Sequence, residues 1–413
     1  MTRALVILVV LAACGEPAGA PVLRASEPPY APLVGGTRIT LSGNGFADGP
    51  NRVLIGGRES PLVATVDDET LEVLVPPGDE AGDAEVLVLN ARGNARATGL
   101  FHYSTPPTIT AVSPPDVLYS EGATVTLTGS GFRDEDAGDV ILVIDGQLIT
   151  DVEVTSDASL TFTAPPGRAL SLPSIELVDD RGRTTRTRAF RYVPSMRPGL
   201  LLFPQFGAFA IFVDPSDNSF VTIPWVAAQA VRLTSVGRDD HGDYWGIDRG
   251  GRYGRLDLQT QRIDPALDLG LWLPAMTRSG DGYLALERGG LRFGAFELST
   301  GIFTPIGENQ LPCCGSYGLA TGANATYLTS RQDGAVTIAA IDPVTGVTGP
   351  PVTVTGPPGF HVEEMRFFGD VLYVTSRTGQ LFTLDPTTGV ATALPLVLGR
   401  AGAMEVFEPA TAR

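Results

Sequence analysis

The sequence predicts an all-β protein, two tandem β-sandwich modules followed by a five-bladed β-propeller, and three observations carry that expectation. Glycine (49) and proline (33) make up about a fifth of the 413 residues, punctuating the chain too often for long helices. Apolar and polar residues alternate over short runs: Ile39 and Leu41 fall on one side, Arg38, Thr40 and Ser42 on the other, the period of a half-buried strand. Two internal repeats of different length divide the chain, one of nearly 90 residues and one of about 43.

The first element is a targeting segment. Arg3 precedes an apolar run from Ala4 to Ala13, too short to span a bilayer as a permanent helix. Leu11, Ala12, Ala13 and Cys14 resemble the bacterial lipobox, in which the cysteine is diacylated and becomes the first residue of the mature chain. The resemblance implies a signal peptide over residues 1–13, lipidation at Cys14 and a place in the cell envelope. Gly15 rather than Asp after the cysteine implies the outer membrane or cell surface. Residues 14–26, rich in small residues and proline, are expected to form a flexible tether. Cys313 and Cys314 are the other two cysteines, and being adjacent they permit no long-range bridge.

The first repeat places Gly43, Gly45 and Phe46 against Gly129, Gly131 and Phe132, at an offset of 86 residues. Pro76, Pro77 and Gly78 recur as Pro165, Pro166 and Gly167, and Phe101 and Tyr103 as Phe190 and Tyr192, all at an offset of 89. Strands at this spacing with no helical period between them argue for sandwiches. These residues resemble the IPT/TIG family of immunoglobulin-like domains, which implies two tandem immunoglobulin-like sandwiches, residues 27–104 and 105–193, acting as spacers or binding modules without catalysis. Asp134, Glu135 and Asp136 lack a fixed ligand spacing and read as a solvated turn rather than a calcium loop.

Beyond Pro194 the period changes. Asp214, Asp257, Glu297, Asp342 and Asp385, each closing an apolar strand, are spaced 43, 40, 45 and 43 residues apart, the length of a propeller blade. Residues 194–413 are therefore expected to form five blades. The first unit supplies only three strands, and residues 402–408 are expected to complete it, closing the ring by exchange of chain ends. Arg249, Arg288, Arg331 and Arg377 each sit where the second strand of a blade meets the third, which places all four on one face. Four guanidinium groups around a channel mouth suit an anionic glycan, a carboxylate-rich peptide or a lipid headgroup; the competing expectation is that each arginine packs over its own hairpin.

Composition narrows the chemistry. A net charge of −17 argues against nucleic acid as a partner. Three histidines, at 102, 241 and 361, show no metal-ligand spacing, and no nucleophile elbow, phosphate loop or Cys-x-x-Cys pair is found, so no metal, cofactor or catalytic residue is assigned. Asp239, Asp240, Glu363, Glu364 and Glu405 fall on or beside predicted innermost strands and leave open a carboxylate pair of the glycoside-hydrolase kind. The leading expectation is an envelope-anchored binding, adhesion or scaffold protein that displays a propeller face. The alternative is an extracellular hydrolase or lyase acting on glycans.

Overall fold

A computed structural model of the chain describes residues 19–47, 49–133, 138–206, 208–224, 231–258, 260, 262–288, 292–307, 318–332 and 334–410. Cys14, Cys313, Cys314 and the acidic run 134–136 lie outside the described residues. Every described element is a β-strand, and the chain falls into two compact units. One holds residues up to 113 with 124–163 and 173–189; the other holds 114–123, 164–172 and 190 onward.

In the first unit, strands Val22–Glu27, Arg38–Asn44, Thr70–Leu74 and Val63–Thr65 form one sheet, and Gly93–Ala97, Val86–Asn90, Arg52–Ile55 and Arg58–Glu59 another. Ile39, Leu41, Phe46, Val53, Ile55, Leu71, Val86, Val88 and Phe101 fill a common core. Residues 22–26, expected to be tether, are therefore sheet: Val22–Glu27 pairs antiparallel with Arg38–Asn44, giving the open edge of that strand a partner. The second module repeats these two sheets in the same unit, as Thr108–Ser113, Thr124–Ser130, Ser159–Thr163 and Glu153–Ser156 with Gln147–Ile149, Ile141–Ile144, Ile175–Asp179 and Gly182–Arg186.

The repeated motif residues have physical causes. A Cβ on Gly43 would lie 2.0 Å from the Val22 carbonyl oxygen, and one on Gly129 would lie 1.8 Å from that of Thr108, so the paired strands exclude any side chain there. Gly45 and Gly131 follow at φ of 81° and 79°, the left-handed region that turns each strand so that Phe46 and Phe132 are buried. The Tyr103 ring lies over Gly78 and its hydroxyl donates to the Pro76 carbonyl at 2.7 Å. In the second unit the Tyr192 ring covers Gly167 in the same way, donating to Pro165 at 2.6 Å. The Pro-Pro-Gly and Phe-x-Tyr signatures are thus two halves of one contact.

The second unit contains, among the described residues, five four-stranded antiparallel sheets. Their innermost strands are Ala401–Phe407, Leu233–Arg238, Ala275–Ser279, Leu319–Thr321 and Val362–Phe368. Each contacts the innermost strand of the sheets before and after it, and the cycle closes between Val362–Phe368 and Ala401–Phe407. The first sheet takes Gly199–Pro204, Phe209–Asp214 and Ser219–Pro224 from its own segment and Ala401–Phe407 from the far end, paired from Gly199 opposite Phe407 to Pro204 opposite Ala401.

The acidic residue that marks the period is a turn anchor. Asp214 accepts from the Ser216 amide at 2.9 Å, Glu297 from the hydroxyls of Ser299 and Thr300 at 2.9 Å, and Asp342 from the amides of Val344 and Thr345 at 2.8 and 2.9 Å. Asp385 takes the hydroxyl and amide of Thr387, and these bonds hold its carboxyl down at about 2. The repeat is legible because each sheet needs the same hairpin between its third and fourth strands.

Candidate functional site

One end of the ring is built by two backbone positions repeated from sheet to sheet. Arg249 donates its amide to the Arg232 carbonyl at 2.9 Å, Arg288 to Trp272 at 3.0 Å, and Gln205 to Arg400 at 2.8 Å. In each pair the first residue immediately follows a second strand and the second immediately precedes, or lies close before, an innermost strand. Arginine on the hairpin therefore faces whatever residue leads into the inner strand, and in two of these three sheets that residue is also arginine.

The result is a cavity of about 380 Å³ lined by Arg232, Arg249, Arg288, Arg377 and Arg400 together with Gln205, Trp272, Glu363 and Glu364. Three of the four arginines singled out in the sequence thus converge. Arg331 does not line the cavity: its Nη1 donates to Nδ1 of His361 at 3.1 Å. Burial first, then Arg331 and Arg377, hold the His361 imidazole below its ordinary range, which keeps it a neutral acceptor for that bond. Gln205 occupies the corresponding position in the first sheet. Arg232 and Arg400 are the residues sequence reasoning missed. They sit just before innermost strands, and aligning that position between repeats as the hairpin position was aligned exposes them.

The five guanidinium groups are not equally committed. Arg288 stacks over the Trp272 ring at 4.2 Å and Arg232 over Phe206 at 5.0 Å. Arg400 donates from Nη2 to Glu363 at 2.9 Å. The exposed side chains of Arg249 and Arg377 make no hydrogen bond or ion pair with any described residue. Two further donors, the Arg400 Nε and the Trp272 indole N–H, are buried with no partner among the described residues. Arg288 lies over a ring from the segment before its sheet, whereas Arg249 and Arg377 have no such contact with a described residue.

Glu364 is 6% exposed and its carboxyl is pushed well above the usual carboxylate range, first by burial and against the opposing pull of Arg366. Two residues along the same strand, Arg366 is 4% exposed and reaches across the ring axis. It donates from Nε to the Met404 carbonyl at 2.9 Å and from Nη1 to that of Met276 at 3.0 Å, and Nη2 lies 3.6 Å from Glu405. Burial raises the Glu405 carboxyl, and Glu405 lines a separate cavity of about 320 Å³ with Arg238, Arg278 and Tyr283.

The five carboxylates named from sequence are therefore divided. Glu363 and Glu364 line the arginine cavity, Glu405 lines the other, and Asp239 and Asp240 line neither. Asp239 accepts from the amides of His241 and Asp243 and from the Trp245 indole at 3.0, 2.8 and 2.9 Å, which shapes the hairpin. Asp240 pairs with Arg278 at 2.6 Å on the surface.

Residues 21–104 and 107–192 match the family model of the IPT/TIG domain. The chain carries two IPT/TIG domains. Both tyrosine–glycine contacts described above fall inside these IPT/TIG segments, and the arginine cavity lies outside them. Plexin-2 of Caenorhabditis briggsae is 29% identical over 118 residues, 28% of this chain and 7% of that protein. Plexin-B3 of Homo sapiens is 27% identical over 162 residues, 38% of this chain and 8% of that protein. The chain thus spans less than a tenth of the length of these relatives. Among solved structures, an auxiliary nutrient binding protein from Bacteroides thetaiotaomicron is 15% identical, with 92% of this chain and 86% of that one covered at a TM-score of 0.30.

Proposed function

We propose that the protein is a binding protein of the cell envelope, held by lipid at Cys14, with two IPT/TIG domains as spacers and a propeller whose arginine cavity captures an anionic group. The observation that carries this reading is the gathering of five arginines at one cavity in a chain of net charge −17, two of them with side chains that have no hydrogen-bond or ion-pair partner among the described residues. A local cation cluster in an acidic chain does not follow from bulk composition. Uncommitted guanidinium groups match carboxylate geometry and keep their charge at every accessible pH.

Calorimetric titration with polygalacturonate and with neutral dextran tests the binding reading. Saturable heat is expected from the carboxylated polymer alone, falling sharply between about 50 and about 500 mM salt as screening shortens. Equal binding of dextran, or no binding of the anionic polymer, overturns it. The anchoring part rests on the lipobox. Cys14→Ser is expected to move the protein from the membrane fraction to the soluble one, and unchanged retention contradicts lipidation there.

A further inference from the structure

Resting on that binding reading, the cavity carries a second set of requirements that narrows its ligand. At about 380 Å³ it stands near the lower end of small-molecule sites, the size of one or two sugar rings rather than of a polymer backbone laid across a surface. Its free cations, Arg249 and Arg377, demand an anion. Its other groups demand hydrogen-bond donors from the ligand. The Glu364 carboxyl is more than nine-tenths buried, and no described residue hydrogen-bonds to it. Glu363 gives Oε2 to Arg400, which leaves its second oxygen for another donor. Gln205 adds an amide with both a donor and an acceptor end.

Sulfate, phosphate dianion and a simple carboxylate are acceptor-only, so they satisfy the arginines and bring no donor to the second Glu363 oxygen or to the acceptor end of Gln205. The side chain of an acidic peptide brings the same acceptor-only head. A neutral sugar offers hydroxyls that donate and accept, yet leaves Arg249 and Arg377 unmatched. The unpartnered Trp272 N–H and Arg400 Nε complete the pattern, since hydroxyl or carboxylate oxygens serve both. A buried polar atom left unpaired costs about 1–3 kcal/mol, so the ligand that satisfies both sets is strongly favoured over one that satisfies either.

We propose that the cavity recognises a sugar acid, a hexuronate ring whose carboxylate meets Arg249 and Arg377 and whose hydroxyls meet Glu364, Glu363 and the Trp272 and Arg400 donors.

The test is calorimetry on the intact chain with digalacturonate, diglucuronate, neutral galactobiose, glutarate and sodium sulfate. A diuronate is expected to bind at least about tenfold more tightly than galactobiose, glutarate or sulfate, a gap of about 1.4 kcal/mol. Glu364→Leu, checked for an unchanged melting curve, is expected to weaken the diuronate by about tenfold while leaving glutarate binding as it was. Glutarate or sulfate binding as tightly as the diuronates overturns the sugar-acid assignment and leaves an anion-binding cavity standing. Galactobiose binding equally overturns it by making the arginines irrelevant. If no anion binds, the binding reading itself fails. Should Glu364→Leu unfold the ring, Gln205→Ala serves in its place with the same expected selectivity, and equal loss for all ligands counts against the proposal.

Discussion

Deletion of residues 401–413 is expected to abolish the cooperative unfolding of the second unit. Ala401–Phe407 is the innermost strand of the first sheet, hydrogen-bonded to Gly199–Pro204 along its length and packed against the innermost strands on both sides. Ala401, Ala403, Met404 and Phe407 are buried, and the Phe407 ring meets Phe212 edge to face at 5.4 Å. Exposing a Met and a Phe side chain costs about 1.5–3 kcal/mol each, and each unmade backbone bond adds about 1 kcal/mol. The sum exceeds about 5 kcal/mol, comparable to the whole stability of a domain. Circular dichroism through a thermal ramp checks this. A sharp transition retained at the parental temperature contradicts closure by the two chain ends.

Arg366→Ala is expected to be the most damaging single substitution in the ring, at about 3–5 kcal/mol. The side chain bridges carbonyls on two other inner strands, those of Met404 and Met276, and carries the charge that faces Glu405 and Glu364. Its loss leaves two carbonyls without a donor and the buried Glu405 without its neighbouring cation. Replacing Arg366, Glu364 and Glu405 together by Met, Leu and Leu is expected to recover much of the loss, because a fully apolar axis has no unpaired charge. Urea midpoints of the single and triple variants decide the matter. A single variant within about 0.5 kcal/mol of the parent shows that the axial bonds contribute nothing measurable.

Much of this architecture is legible in the sequence because the same local requirement recurs. The glycines at 43 and 129 repeat because the same carbonyl approaches each, and the acids from Asp214 to Asp385 repeat because each sheet needs the same hairpin. What escapes is set by partners far along the chain. Residues 22–26 read as tether because Val22 and Leu23 are followed by no apolar alternation of their own, and they become strand through pairing with Arg38–Asn44. Arg331 shares the hairpin position of Arg249 and Arg377, yet His361, 30 residues on, takes its guanidinium. Arg400 enters the cavity through a bond from the Gln205 amide, 195 residues away, that no single repeat displays. Glu364, Met365 and Arg366 are buried in succession because this innermost strand is covered on both faces, which alternation alone does not reveal.

On the proposed reading Arg249 and Arg377 are kept for a ligand rather than for the fold. The decisive measurement is Arg249→Ala/Arg377→Ala titrated with digalacturonate beside the parent protein and melted in the same buffer. The prediction is loss of at least about 2 kcal/mol of binding, two charge-assisted contacts, with the melting temperature unchanged. Unaltered binding, or a collapse of the melting temperature, contradicts it.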